Sequence, residues 1–350
     1  MGIERQETGG PLAAAVSLPR RLHSPEALVL GLTLAYFLAL WPFTPALATP
    51  RNLGNLVTSM VPLLIVAVGQ TFVLVTGGID LSVTSIVALT SVVGGSIMTA
   101  DGGLLAGSAA AAPAGVAAML LLGIGLGALN GLAVTRLAMP PFLVTLTAMM
   151  FLSGLAIRFT ESEAYSDLPP SIHALATDAP FAVRLPWITA TIPYSVILAA
   201  LLGVFAHFTL RRTLFGRWLF AVGMNRKAAR ISGVPVERTT LLAYAASGLS
   251  GALASILYTG RLETASPVHG QTIFLDVIGA AVIGGTSLFG GRGTVAGTAL
   301  GVLFITLIDN SLNLLGRSTF EIAMAKGAVI LLAAIADAAR ARLRDAARPG

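Results

Sequence analysis

The sequence predicts an all-α, polytopic membrane protein with about ten transmembrane helices and broken or re-entrant segments. Three observations predict it. Hydrophobic residues make up 55% of the 350 and charged ones only 11%, whereas about a quarter of an ordinary soluble domain is charged. Low-charge stretches recur at lengths near the roughly 20 residues that a ~30 Å hydrocarbon core requires. Basic residues gather at a few points, as topology signals do.

Taken in order, spans are expected near residues 27–43, 52–76, 81–100, 104–134, 142–159, 187–210, 240–260, 273–289, 294–315 and 320–336. The stretch before them, residues 1–26, mixes charges of both signs with Gly and Pro and lacks an apolar core followed by a small-residue cleavage site, so it reads as a tail and not a signal peptide. The segment 211–238 holds Arg211, Arg212, Arg217, Arg226, Lys227, Arg230 and Arg238 against the single acid Glu237. That is the strongest positive-inside signal in the chain and places the loop in the cytoplasm. With six spans before it and four after, Arg20 and Arg21 at one terminus and Arg340, Arg342, Arg344 and Arg348 at the other also fall inside. The loop with Glu161, Glu163, Asp167 and Asp178 falls outside. The organisation expected is a tail (1–26), a single transmembrane domain (27–337) and a basic tail (338–350).

Between spans two and three "TGGIDLS", from Thr76, leaves no room for an ordinary loop. Two glycines, an acid and a serine free backbone groups from helical pairing, and such a break is tolerated at membrane depth only when protein or a cavity covers it. A second Gly-rich break, "GGTSLFGGRGTVAG", runs from Gly284. Similar residues lead into the two, "GQTFVL" at Gly69 and "GQTIFL" at Gly270. Paired discontinuities in two halves of a membrane chain point to a translocation pathway.

Several function classes drop out. The chain has no cysteine, which removes disulfides, thiolate metal sites and thiol nucleophiles. His23, His173, His207 and His269 lack metal-site spacing. No phosphate-cradling G-x-x-x-x-G-K-[ST] is present, since neither Lys227 nor Lys326 follows a glycine. "GIGLGA" at Gly123 formally matches a dinucleotide fingerprint but sits inside an apolar span, where it reads as close helix packing. No nucleophile, base and orienter stand together. No catalytic residue, metal or cofactor is expected, and the net charge of +6 serves topology and contact with lipid, not nucleic acid.

The spans carry a thin polar set: Gln70, Asp80, Ser82, Asn130, Asp276, Thr286, Asp309, Asn310 and Asn313. Groups of this kind are costly in hydrocarbon and face a bundle interior or a water-filled path, so all nine are candidates for the substrate pathway. For the three asparagines, hydrogen bonding between helices accounts for them equally well. Asp80 stands either to cap the helix restarting after the break or to line the path, and the two roles are compatible.

In the basic loop, "FGRWLFAVGMNRKAARISGVPVER" contains Ala228, Ala229, Ile231 and Gly233 among basic residues. This suits either a short exposed helix, stopped by its glycine, that docks into a partner, or a connector at the lipid headgroups.

The stretches "GQTFVLVTGGIDLSV", "LNGLAVTRLAMPPFLVTLTAMM", "LFGRWLFAVGMNRKAARISGVPV", "LDVIGAAVIGGTSLFGGRGTVAGTALG" and "LNLLG" resemble, in order, the permease subunits of ABC importers for monosaccharides, ribose-type branch, with branched-chain amino-acid permeases as more distant relatives. The resemblance implies a ten-helix importer half in the bacterial inner membrane with both termini cytoplasmic. It pairs with itself or with a paralogous permease, receives sugar from a periplasmic sugar-binding protein and is driven by a cytosolic ABC ATPase subunit. It also implies that an E-A-A-x-x-x-G coupling loop maps onto Asn225, Lys227, Ala228, Ala229, Ile231 and Gly233, with Lys227 in place of the acid. Thr84 replaces a usual glycine, and Gly223, Met224 and Asn225 replace a Gly-Gly-Asn. The competing expectations are a branched-chain amino-acid permease and a proton-coupled transporter using Asp80 or Asp309.

Overall fold

The computed structural model describes residues 24–185, 188–271 and 273–346; Arg20, Arg21 and Arg348 lie outside the described residues. It is helical almost throughout. In chain order the helices are α1 (Pro25–Leu40), α2 (Pro50–Val75), α3 (Val83–Met98), α4 (Ala111–Arg136), α5 (Pro141–Thr160), α6 (Pro170–Thr177), α7 (Tyr194–Arg212), α8 (Leu214–Met224), α9 (Arg226–Ile231), α10 (Val236–Leu262), α11 (Phe274–Ile283), α12 (Val295–Leu314) and α13 (Thr319–Ala346). One antiparallel hairpin, β1 (Phe181–Leu185) with β2 (Ile188–Ile192), stands between α6 and α7.

Among the described residues eight helices are long and apolar enough to cross a membrane: α1, α2, α4, α5, α7, α10, α12 and α13. Two more crossings are short. At about 1.5 Å per residue, the 16 residues of α3 and the 10 of α11 reach only about 24 and 15 Å, less than the ~30 Å hydrocarbon core. Non-helical chain makes up the difference, residues 76–82 before α3 and 263–271 before α11. Eight long and two broken crossings give ten.

Contacts between loops fix which helix ends lie together. At one end Thr99 Oγ1 donates to Ser166 O at 2.7 Å, Ala100 N to Asp167 O at 3.0 Å, and Tyr165 bridges Ala265. This is the end of the acidic loop. At the opposite, basic end Thr294 Oγ1 donates to Glu26 Oε1 at 2.8 Å and Gly291 N to Val75 O at 2.9 Å. The chain alternates between these ends as six crossings before α8 and four after α9 require.

The sixth crossing starts at Tyr194, later than the expected 187, because Ile188, Thr189, Thr191 and Ile192 form β2. β-branched residues favour a strand, and Pro193, which lacks an N–H, sits at the helix N-cap, where none is needed. The "GQT" look-alikes fall on unlike elements: Gln70 is inside α2, whereas Gln271 belongs to the turn before α11. α13 continues as helix to Ala346, past the expected end of its span.

The centre of the bundle is α2, α3 and α10. α3 is buried along nearly its whole length, as a helix apolar on all sides must be. α4 and α10 pack through glycines. A Cβ on Gly248 would lie 2.1 Å from Gly123 O, and one on Gly127 would lie 2.3 Å from Tyr244 O. Gly123 and Gly127 are the first and last glycines of "GIGLGA", and with Gly248 they let two backbones touch.

Candidate functional site

The first break is closed by side chains from four helices. At Gly77 φ is +80°, a region that glycine enters freely. At Gly78 a Cβ would lie 2.6 Å from the Tyr244 hydroxyl. The chain then runs without regular structure through Ile79 and Asp80. Asp80 Oδ1 accepts from Ser82 N at 3.0 Å and Ser82 Oγ at 2.6 Å, and Oδ2 accepts from Ser247 Oγ on α10 at 2.8 Å. Ser82 Oγ in turn accepts from Asn130 Nδ2 on α4 at 2.7 Å.

The main chain of the break is held as tightly. Ile79 O accepts from Thr145 Oγ1 of α5 at 3.1 Å and from the Tyr244 hydroxyl at 3.4 Å. Gln70, on α2, meets both backbone groups of Asp80. In the amide orientation that its surroundings require, its oxygen accepts from Asp80 N at 3.1 Å and its nitrogen donates to Asp80 O at 3.3 Å. Gln70, Asp80, Ser82, Ser247 and Tyr244 are all fully buried. A carboxylate away from water is costly unless its oxygens are satisfied. Here three donors and the start of α3, whose exposed amides favour a negative charge, supply that.

Four of the nine pathway candidates therefore meet: Gln70, Asp80, Ser82 and Asn130. Ser247, Tyr244 and Thr145 complete the cluster and were not picked out in the sequence, where they are ordinary Ser, Tyr and Thr residues inside apolar helices. Thr286 belongs to a second chain of hydroxyls. Its Oγ1 lies 3.5 Å from Thr298 Oγ1, which lies 2.8 Å from Thr71 Oγ1, linking the second break to α12 and α2. Asp276 and Asp309 sit apart, on either side of Lys326, at 2.8 and 3.2 Å from its Nζ. Asn313 donates to Asp309 O at 2.7 Å. Asn310 and Asn52 exchange amide hydrogen bonds at 2.9 and 3.0 Å across α12 and α2. Lys326 was not picked out in the sequence as their partner, although a lone cation in an apolar span hints at a buried acid.

The two breaks meet each other at the basic end. Gly291 N donates to Val75 O, and a Cβ on Gly290 would lie 2.8 Å from Gly77 N. α8 packs on the same spot: a Cβ on Gly223 would lie 1.9 Å from Val75 O and 2.5 Å from Gly291 N. One residue beyond α8, Asn225 Oδ1 caps α9 by accepting from Ala228 N at 3.0 Å.

α9 is a six-residue helix at the surface. Ala229 is buried against Val222 and Val236, while Lys227, Ala228 and Gly233 are exposed and Ile231 is 88% exposed. Gly233 ends the helix with φ +81°, the left-handed stop that glycine supplies. Arg230 pairs with Glu237 at the start of α10. The loop thus ties α9 to α8 and α10 and leaves the side chains of Met224 and Ile231 uncovered among cations.

Comparison with known proteins gives a consistent picture. The model of the family described as "Branched-chain amino acid transport system / permease component" matches residues 52–335. The chain is 39% identical to the ribose import permease protein RbsC of Bacillus subtilis, covering 84% of this chain and 86% of that one. It is 36% identical to RbsC of Escherichia coli K12, covering 84% and 88%. The xylose transport system permease protein XylH of E. coli K12 is 32% identical over 96% of both chains. No solved structure matches the chain.

Proposed function

We infer, from the premise that the chain belongs to the branched-chain amino acid transport system / permease component family, that it is the membrane-spanning permease subunit of an ABC importer for a monosaccharide. The observation that carries the mechanism is the joint at Gly223. There the element next to the exposed helix α9 touches both breaks at once. A cytosolic ATPase subunit closes on ATP and moves α9 as a rigid body. α8 passes that displacement to the end of α2, where the first break begins, and to Gly291 in the non-helical stretch before α12, and the bundle shifts between two packings. The pathway is served by a periplasmic sugar-binding protein outside and by a second permease subunit, identical or paralogous, alongside. The chain sits in the inner membrane with both termini and the basic loop in the cytoplasm.

A neutral sugar feels no force from the membrane potential, so accumulating it needs this external drive. Three features favour a sugar over a branched-chain amino acid. The similar proteins above are ribose and xylose permeases by name. The buried Asp80 has both oxygens occupied by internal donors. Asp276 and Asp309 are bound to Lys326, which leaves no free carboxylate there for an ammonium group. Asp80, Gln70, Ser82 and Asn130 accordingly hold the break in shape, and no sugar contact is assigned to them. Thr286 steadies the second break in the same way.

A photoreactive residue in place of Ile231 tests the docking role. It crosslinks to the ATPase subunit in the assembled complex, whereas the same group at Phe320, 82% exposed on α13, does not. Equal crosslinking from both positions removes the docking role of α9.

A further inference from the structure

The acidic-loop end of the bundle holds a cavity of about 840 Å³ between the first turns of α2, the end of α6, β2, the start of α7 and the end of α10. Its polar lining includes Arg51, Asn55, Thr58, Thr191, Ser195 and Arg261, and its floor is apolar, with Val61 and Leu257. No carboxylate is among the described lining residues. Arg261 is fixed in the wall: Nη1 donates to Thr58 O at 3.2 Å and Nη2 to Ser59 Oγ at 3.0 Å. A guanidinium carries five N–H donors, so further ones remain for a ligand. Asn55 is exposed and offers both a donor and an acceptor.

We propose that this cavity is the site at which the transported solute first enters the chain, and that it takes a neutral polyhydroxylated molecule such as an aldose. The assignment rests on the importer reading above and adds a place and a selectivity to it. The volume falls in the range of small-molecule sites, which combine an apolar surface with a few fixed polar groups. Sugar hydroxyls accept from the guanidinium and amide and donate to the Asn and Thr oxygens, while the C–H face of the ring lies on Leu53 and Val57, the exposed apolar side chains of the lining. Two arginines without an acid repel an ammonium group, so a zwitterionic amino acid has no partner here for its positive end.

The absence of cysteine from all 350 residues makes the test direct. Asn55→Cys gives the permease a single thiol, and Thr58→Cys provides a second position on the same wall. In right-side-out vesicles containing the full complex, a charged, membrane-impermeant thiosulfonate should label either one. Saturating ribose or xylose should slow the labelling severalfold and leucine should not. Met324→Cys, on the exposed apolar face of α13, should stay unlabelled. Asn55→Ala should raise the half-saturating concentration for uptake by about tenfold, the loss expected for one or two hydrogen bonds. Vesicles that import sugar while both cysteines react no faster than Met324→Cys, or react without protection, overturn the assignment alone. Stronger protection by an aldonate than by the aldose overturns its neutral-solute part. Vesicles that accumulate leucine and no monosaccharide overturn the importer reading and this assignment with it.

Discussion

Ser247 on α10 donates to Oδ2 of Asp80 at 2.8 Å, joining residues 167 positions apart in sequence. Through Ser82 and Asn130 the same carboxylate also reaches α4, and through Gln70 its main chain reaches α2. The break in the apolar sequence is therefore a junction of α2, α3, α4 and α10, with Asp80 bonded directly to Ser82, Ser247 and Gln70 and linked to α4 through Ser82.

That junction predicts a graded series. Asp80→Ala strands three donors and, at about 1–3 kcal/mol for each unsatisfied buried group, should lower the melting temperature of the detergent-purified protein sharply or prevent its accumulation. Ser247→Ala removes one donor and should cost about 1–3 kcal/mol. Asp80→Asn, which keeps an acceptor for Ser82 and lets the Ser247 hydroxyl turn to accept, should be the mildest of the three. A melting temperature that Asp80→Ala leaves unmoved would show that the bonds are not holding the break.

The joint at Gly223 makes a different prediction, because a side chain there adds bulk against Val75 O and Gly291 N, the two atoms whose hydrogen bond ties the breaks together. With Val75 O only 1.9 Å from an added Cβ, Gly223→Ala must push α8 away from both breaks. Overpacking of this kind costs about 1–3 kcal/mol, small enough for the protein to insert. Sugar uptake per ATP hydrolysed should fall in the reconstituted complex, and an unchanged ratio contradicts the route through α8.

At the surface, Gly233→Pro imposes φ near −65° where the backbone has +81°, so α9 should lose its stop and its orientation. Ala228→Glu puts a new charge on an exposed position and should leave folding intact. Both variants should reach the membrane, and neither should support the stimulation of ATP hydrolysis by the loaded binding protein. Normal stimulation in both removes α9 from the coupling path.

Much of this was legible in the sequence. Apolar length and the clustering of arginines gave ten crossings and their grouping by side, since those signals are local. Asp80 behind two glycines marked the break because an acid in an apolar run is conspicuous. Its partner Ser247 was not legible: a serine in α10 looks like any other, and only the fold brings it across 167 residues. The hairpin at β2 was hidden for the opposite reason, since isoleucine and threonine next to a span read as more span until Pro193 is given its place at the helix start. Asp276 and Asp309 were visible as isolated acids, but their shared partner Lys326 lies on another helix and required three dimensions.

The most direct measurement is uptake of radiolabelled ribose or xylose into proteoliposomes, comparing the chain alone with the chain assembled with its ATPase and binding protein. Uptake should appear only in the assembled system, require ATP and persist when an uncoupler collapses the proton gradient. Accumulation by the chain alone, abolished by the uncoupler and indifferent to ATP, would contradict the account.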